Sequence, residues 1–391
     1  MKKFLAKTLP YLLIGLLYVI AGEYFLGRLK ETVSLEEVAQ EQSTSKKELY
    51  YGRKVLGIAL PRYKFINLKQ RKAEILVVGQ SVSLQFRDFL FEPYQDDFYN
   101  AGLMIRNHAD LNYLADLIEQ GEITKPRFML SAIDLSMVLN KTFLDQFSLE
   151  YDMAKDRALS AKSHLQGMQK LMLNAPLRAM PETDYGFGKA GMMGSGYRND
   201  GSFRHRLEIL KFLEDGKYYD GNLIDRLKAR QAPFLKPFNY DQSKANRVIK
   251  TLNRFKAMNI ELLLYIPPYS DVFFNEALKD SMFVDFWQNY MAFQGQLMTE
   301  GFELIGFTTP AGLGLDDRFM VDAEHPSEVF CALQLKNYIE NNPSSSKVLN
   351  SLNFQTLDSL LADAHTLPIS FLKDSINISL KVAMEVKAVK N

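Results

Sequence analysis

The stretch ILVVGQSVSLQF (75–86) decides the fold. A short run of Ile, Leu and Val stopped by Gly79 reads as a strand buried on both faces, and a serine follows at once in a Gly-x-Ser turn. The carboxyl end of the first parallel strand is where an α/β sheet presents ligand-binding and catalytic groups, and a helix starting there aims backbone N–H groups at an anion. Ser81 at this place reads as a nucleophile beside ready oxyanion donors, or as the N-cap of the next helix.

Similar runs recur along the chain: DFYNAG (97–102), RFMLSAID (127–134), ELLLYIPP (261–268) and FELIGF (302–307). Helix-period stretches such as HADLNYLADLIEQG (108–121) separate them, so the body over 73–340 is expected to be α/β with a five-stranded parallel sheet. Between the third and fourth runs lies an insertion, about 139–259, expected to be mostly helical. Its centre, YGFGKAGMMGSGYRNDGS (185–202), is rich in Gly and Met and reads as a lid or binding loop. Gly186, Gly188 and Gly191 have GxGxxG spacing there. No strand precedes them and no helix comes after, so a dinucleotide site is rejected.

Ahead of the body, LPYLLIGLLYVIAGEYFL (9–26) is apolar except for Glu23, and at 1.5 Å per residue it reaches about 27 Å, close to the hydrocarbon thickness of a bilayer. Residues 1–27 therefore read as a transmembrane anchor. Lys2, Lys3, Lys7 and the α-amino group precede the run, whereas Arg28 and Lys30 after it are followed at once by Glu31, Glu36 and Glu37, which is expected to put the N-terminus in the cytoplasm and the body outside. A cleaved signal peptide and a buried core helix are the alternatives. Residues 28–72 read as a juxtamembrane stem, in which Ser34 and Glu37 have the spacing of a capping box. Residues 341–391 form an extension whose strict alternation from Ile376 to Val386 reads as a strand.

With 47 Lys+Arg against 46 Asp+Glu the chain has no basic field for nucleic acid, and a lone Cys331 excludes an intramolecular disulfide and any Cys-based metal site. No His or carboxylate spacing suggests a metal or a cofactor, so none is expected. Five histidines remain as candidate bases. His164, His205 and His365 have no acidic or nucleophilic neighbour that suggests a site, and His108 reads as solvent-facing. In FMVDAEHPSEVF (319–330), however, Asp322 precedes His325 by three residues, a spacing that lets the carboxylate hold one ring nitrogen while the other accepts a proton.

Serine after the first strand and Asp-x-x-His after the last resembles the layout of the SGNH/GDSL hydrolase superfamily. VVGQS stands at its Gly-Asp-Ser block, FYNAG at the block carrying an oxyanion glycine, and VDAEHP at the Asp-His block. More narrowly, YKFINLKQRKAEILVVGQSVSLQFR (63–87) with FYNAGL resembles membrane-anchored SGNH-like proteins of bacterial envelopes, among them those of alginate O-acetylation and lipoteichoic-acid D-alanylation. The resemblance implies a flavodoxin-like three-layer sandwich, with Ser81 as nucleophile, His325 as base, Asp322 as its orienter, and the N–H groups of Ser81 and Gly102 as oxyanion donors. It implies esterase or O-acyltransferase activity on an acylated glycan or other acyl donor, beside a membrane-bound O-acyltransferase at the bacterial cytoplasmic membrane. A non-catalytic protein that binds a glycan or such a partner is the alternative. Two positions depart from the family: Gln80 replaces its Asp, and SAIDLS (131–136) offers Asp134 where an Asn donor belongs. Asn100, Asp134, Arg198 and Asp200 are candidate substrate contacts on polar or Gly-rich segments, with Arg106, Tyr197, Ser202 and Arg204 beside them.

Overall fold

The β-branched and aliphatic runs form five strands: β1 (Ile75–Gly79), β2 (Phe98–Gly102), β3 (Phe128–Ala132), β4 (Glu261–Ile266) and β5 (Glu303–Gly306). A computed structural model describes them within residues 2–140, 142–154, 159–215, 221–231, 239–342, 344–363 and 367–371. All pairings in this sheet are parallel and the order is β2-β1-β3-β4-β5. The direction of winding reverses beside β1, which makes its carboxyl end the topological switch point, where ligands bind in such sheets. Ile75 and Val77, Phe128 and Leu130, and Leu263 and Tyr265 pack on one face with Val329, Ala332 and Leu335 of the helix Glu328–Asn341. Leu76, Val78, Met129 and Leu264 of the opposite face are buried as well, which explains why the strands read as continuous apolar runs rather than alternating ones.

The chain divides into two compact units, and the division differs from the expected anchor, stem, body and extension. One unit is Arg71–Glu150 with Asp200–Asn391 and contains the sheet; the other is Met1–Gln70 with Tyr151–Asn199. The described residues after 340 pack into the sheet unit. Val348, Leu349, Leu357 and Phe371 belong to the core of the sheet unit, and Glu328, almost fully buried, accepts the Phe371 N–H at 2.9 Å. The alternating stretch from Ile376 to Val386, and His365, lie outside the described residues.

Nor are residues 28–72 a bare stem. The helix Leu35–Thr44 starts where the capping spacing places it, with Ser34 accepting the Glu37 N–H at 3.1 Å. Buried Gln42 then ties three segments of its unit together: its amide donates to Leu49 O and Tyr197 O, and its carbonyl accepts from the Tyr63 hydroxyl at 2.6 Å. The Gly-rich stretch serves the same unit. Tyr50–Tyr51 pairs in parallel with Gly186–Phe187 and Tyr51 pairs antiparallel with Tyr197, so the backbones run close together. A Cβ on Gly186 would lie 1.9 Å from Tyr50 O, which no side chain tolerates. Gly186, Gly188, Gly191 and Gly196 serve close packing against the Tyr50–Arg53 backbone within that unit, and the insertion read as one helical piece is split between the two units.

Glu31 holds that packing. It is fully buried, and its carboxylate accepts backbone N–H groups from Lys54 (2.8 Å), Val55 (3.0 Å), Leu56 (3.1 Å) and Lys189 (2.9 Å). Removing the acceptor strands buried donors at about 1–3 kcal/mol each. Glu31→Ala is expected to lower stability by roughly 3 kcal/mol or more and to speed hydrogen exchange at the amides of Lys54, Val55, Leu56 and Lys189. Unchanged protection of those four amides would contradict the assignment.

Candidate active site

Ser81 is joined to β1 through Gly79 and Gln80. Gly79 has φ +144°, and a Cβ there would lie 2.5 Å from the Ala132 Cβ of β3, so the turn that presents the serine requires glycine. Residues Ser81–Ser83 form a single 3-10 turn rather than the expected helix, so no helix dipole points at the serine. The Ser81 hydroxyl is not a cap either. Its Oγ lies 2.7 Å from His325 Nε2.

The other nitrogen of that ring, Nδ1, lies 2.8 and 2.9 Å from the two oxygens of Asp322. Asp322 is itself fixed, because its Oδ1 also accepts the N–H groups of Glu324 and His325, both at 3.0 Å. Val321 N–H donates to His325 O at 2.8 Å, Met320 bridges to Pro326, and Ser270 N–H donates to Ala323 O at 2.9 Å, which pins the loop at both ends. The three residues read from sequence as a triad therefore form one hydrogen-bonded line. Such a line can deprotonate the serine and stabilise the imidazolium that results.

Burial pushes the imidazole of His325 down, but the charge and hydrogen bond of Asp322, with the charges of Glu324 and Glu208, outweigh it and hold the ring at about 9. Burial pushes Asp322 up, and the His325 ring together with the two backbone N–H groups overcomes this, so its carboxyl is lowered. Burial keeps Glu324 raised, with Asp322 adding to the effect and His325 and Arg226 opposing it.

Three expected roles are corrected. The Gly102 N–H is taken by Asn100 Oδ1 at 2.8 Å and so is not offered as an oxyanion donor. Asn100 is fully buried, and its amide nitrogen donates to Ser83 O and Phe86 O, so its side chain is spent on bracing the turn after Ser81. Asp200 is a bracing residue too. Its carboxylate accepts from Asp88 N–H, Ser202 N–H and the Ser202 hydroxyl, with Arg87 at 3.9 Å. Arg198 is buried in the other compact unit. The Ser81 N–H has no partner among the described residues, as an oxyanion donor requires.

Asp134 caps its own turn: Oδ1 accepts the Ser136 N–H at 2.7 Å, the Ser136 hydroxyl, and the amide of Gln80 at 3.1 Å. Gln80 also donates to Arg106 O and to the Ser136 hydroxyl, so it is a strut between the Ser81 turn and the loops after β2 and β3. The second oxygen, Oδ2, is buried without a partner among the described residues, and burial raises Asp134 to about 6 against the pull of the Ser136 hydrogen bonds.

Sequence reasoning missed two histidine pairs. His205, whose ring centre lies 6.4 Å from that of His325, has Glu208 3.7 Å from its Nδ1; the i,i+3 spacing was a visible signal. His164 meets Glu23 at 3.1 Å, which no local pattern reveals. His108 is half-buried at the start of the helix His108–Glu119 with an unpartnered Nδ1, and burial with the Arg247 and Lys244 charges lowers its basicity. Cys331 is fully buried and burial pushes its thiol far up, so it is packing. Neither a protein-family model nor a curated protein matches the chain.

The raised His325 value has a sign. Because the folded value of about 9 lies above the ordinary 6.5, the interaction stabilises the fold fully below 6.5 and fades as pH rises through about 9. In a histidine NMR titration His325 should turn neutral near pH 9, Asp322→Asn should move that midpoint below about 7, and Glu324→Gln should lower it by less. A wild-type midpoint at the ordinary value would contradict the account.

Proposed function

We propose that this chain is a membrane-anchored, SGNH-like serine esterase or O-acyltransferase acting on acyl esters of an extracytoplasmic glycan. The observation that carries the reading is the continuous line from Ser81 Oγ (2.7 Å) through the His325 ring to Asp322 (2.8 Å) at the carboxyl end of β1. Ser81 Oγ attacks the acyl carbonyl as His325 Nε2 takes its proton, and the Ser81 N–H donates to the oxyanion. The tetrahedral intermediate collapses, His325 protonates the departing alkoxide, and an acyl-serine remains. His325 then deprotonates water or a sugar hydroxyl, which attacks the acyl carbon and restores Ser81.

The strand order fits the three-layer, flavodoxin-like arrangement that the superfamily resemblance implies. The helix Lys2–Arg28 supports anchoring: its stretch Lys7–Arg28 is long and apolar enough to cross a membrane, and the leucines and isoleucines along it are exposed. On the positive-inside reading the sheet unit works outside the cytoplasmic membrane, where acyl groups supplied by a membrane-bound O-acyltransferase partner would reach it.

A second reading, a non-catalytic envelope protein that binds a glycan or such a partner, is favoured by the occupied Gly102 N–H. Loss of one oxyanion donor slows acyl transfer about a hundred- to a thousand-fold. Labelling with a fluorophosphonate probe separates the two. The full chain should react at Ser81, Ser81→Ala should abolish labelling, and His325→Ala should slow it by at least about a thousandfold. A folded protein in which Ser81 does not label at any pH up to 10 would leave only the binding reading.

A further inference from the structure

Along the helix Lys2–Arg28, burial changes character near its end. Leu9, Leu13, Leu17 and Ile20 are exposed, whereas Gly22, Leu26 and Leu29 are buried at the i, i+4, i+7 spacing of one helical face. What covers that face is the helix Ala161–Leu173 of the same compact unit. A Cβ on Gly22 would lie 2.5 Å from Met168 Cγ, so the two backbones meet at a small residue. Glu23, the one charge in the apolar run, has His164 Nδ1 at 3.1 Å, and Leu26 and Leu29 pack with Met168 and Leu171.

This contact fixes a depth. The apolar run spans about 27 Å, and the positions from Gly22 to Leu26 occupy its last 6 Å or so, at the level where hydrocarbon gives way to headgroups. The helix Ala161–Leu173, about 20 Å long, is held there. Its polar residues Lys162, Gln166 and Gln169 are exposed and exclude it from the hydrocarbon, yet on the same outward side Leu165 is 60% and Leu173 80% exposed. Both sets are satisfied together where leucines enter the acyl boundary and Lys and Gln reach headgroups and water.

We propose that the helix Ala161–Leu173 is a second, interfacial membrane contact that lies in the headgroup region and inserts Leu165 and Leu173. The proposal rests on the reading of Lys7–Arg28 as a membrane span. Its occupant is the lipid boundary itself, continuous with the lipid around that span. The effect is to fix the unit at the bilayer surface through two contacts instead of leaving it to swing on one helix.

The full-length protein in lipid nanodiscs tests this. Cys331 is fully buried and need not be replaced, so an environment-sensitive dye can be placed at Leu165→Cys, Leu173→Cys, Leu13→Cys or Glu41→Cys, the last an exposed position on the helix Leu35–Thr44. Labels at 165 and 173 should be quenched several-fold more by a nitroxide on the lipid headgroup than by one deep in the acyl chain or by an aqueous quencher. The label at 13 should respond to the deep nitroxide and the label at 41 to the aqueous quencher. If 165 and 173 behave like 41 while 13 is deep, the interfacial contact is wrong and the span stands. If 13 is also aqueous, the span fails and the proposal with it. Quenching at 165 and 173 confined to anionic bilayers would show surface attraction through charge and overturn the insertion of the leucines.

Discussion

The arrangement at the carboxyl edge depends on one hydrogen bond, between Ser81 Oγ and His325 Nε2 at 2.7 Å. Its two ends come from segments far apart in the chain, and each is held by backbone chemistry rather than by side-chain packing alone. On the serine side, Gly79 supplies a conformation and a close approach to Ala132 that no other residue allows, and buried Asn100 ties down the carbonyls of Ser83 and Phe86 behind the turn. On the histidine side, Asp322 works twice, since one oxygen accepts two backbone N–H groups and both oxygens meet the ring. A carboxylate fixed in this way orients the imidazole at little further entropic cost.

The same geometry sets the charge balance. Asp322, Glu324 and Glu208 surround His325 with more negative charge than one imidazolium neutralises, and this is why the ring is held near 9 in spite of burial. At neutral pH the resting ring is therefore mostly protonated, and in the proposed mechanism only its neutral fraction could take the proton of Ser81. Asp134, pushed up to about 6 by burial, adds a carboxyl near Glu324. With the Gly102 N–H bound to Asn100, the proposed reaction would have to rely more heavily on the Ser81 N–H for its oxyanion. For the acyl transfer proposed above, both features imply a slow reaction sharply dependent on pH.

The sheet was legible because its strands are buried on both faces and each run ends in Gly, Pro or a polar residue; the five runs found in the sequence coincide with β1 to β5 within two residues. The hydrogen-bonded line of Ser81, His325 and Asp322 was legible because Asp322 and His325 are neighbours in sequence and Ser81 comes directly after a recognisable strand. What failed were readings that depend on where a polar group is spent. That the Asn100 side chain would take the Gly102 amide two residues on was a local possibility that the reading of Gly102 as a donor passed over, and nothing local tells that Asp200 braces Asp88. The stem and the Gly-rich stretch read as loose segments because their order comes from Glu31 and Gln42, whose hydrogen bonds join parts of the chain distant in sequence. Glu23 read as a flaw in an apolar run, and its partner His164 lies in the insertion.

The central claim, that Ser81 is a nucleophile activated by His325, is tested most directly by trapping the acyl-enzyme. After brief exposure of the full-length protein to an activated acetyl ester at pH 9 and an acid quench, mass spectrometry of the digest should find one acetyl group on the peptide carrying Ser81. The adduct should be absent in Ser81→Ala and strongly reduced in His325→Ala. Acetylation elsewhere with Ser81 unmodified, or an adduct on Ser81 that persists undiminished without His325, would contradict the account.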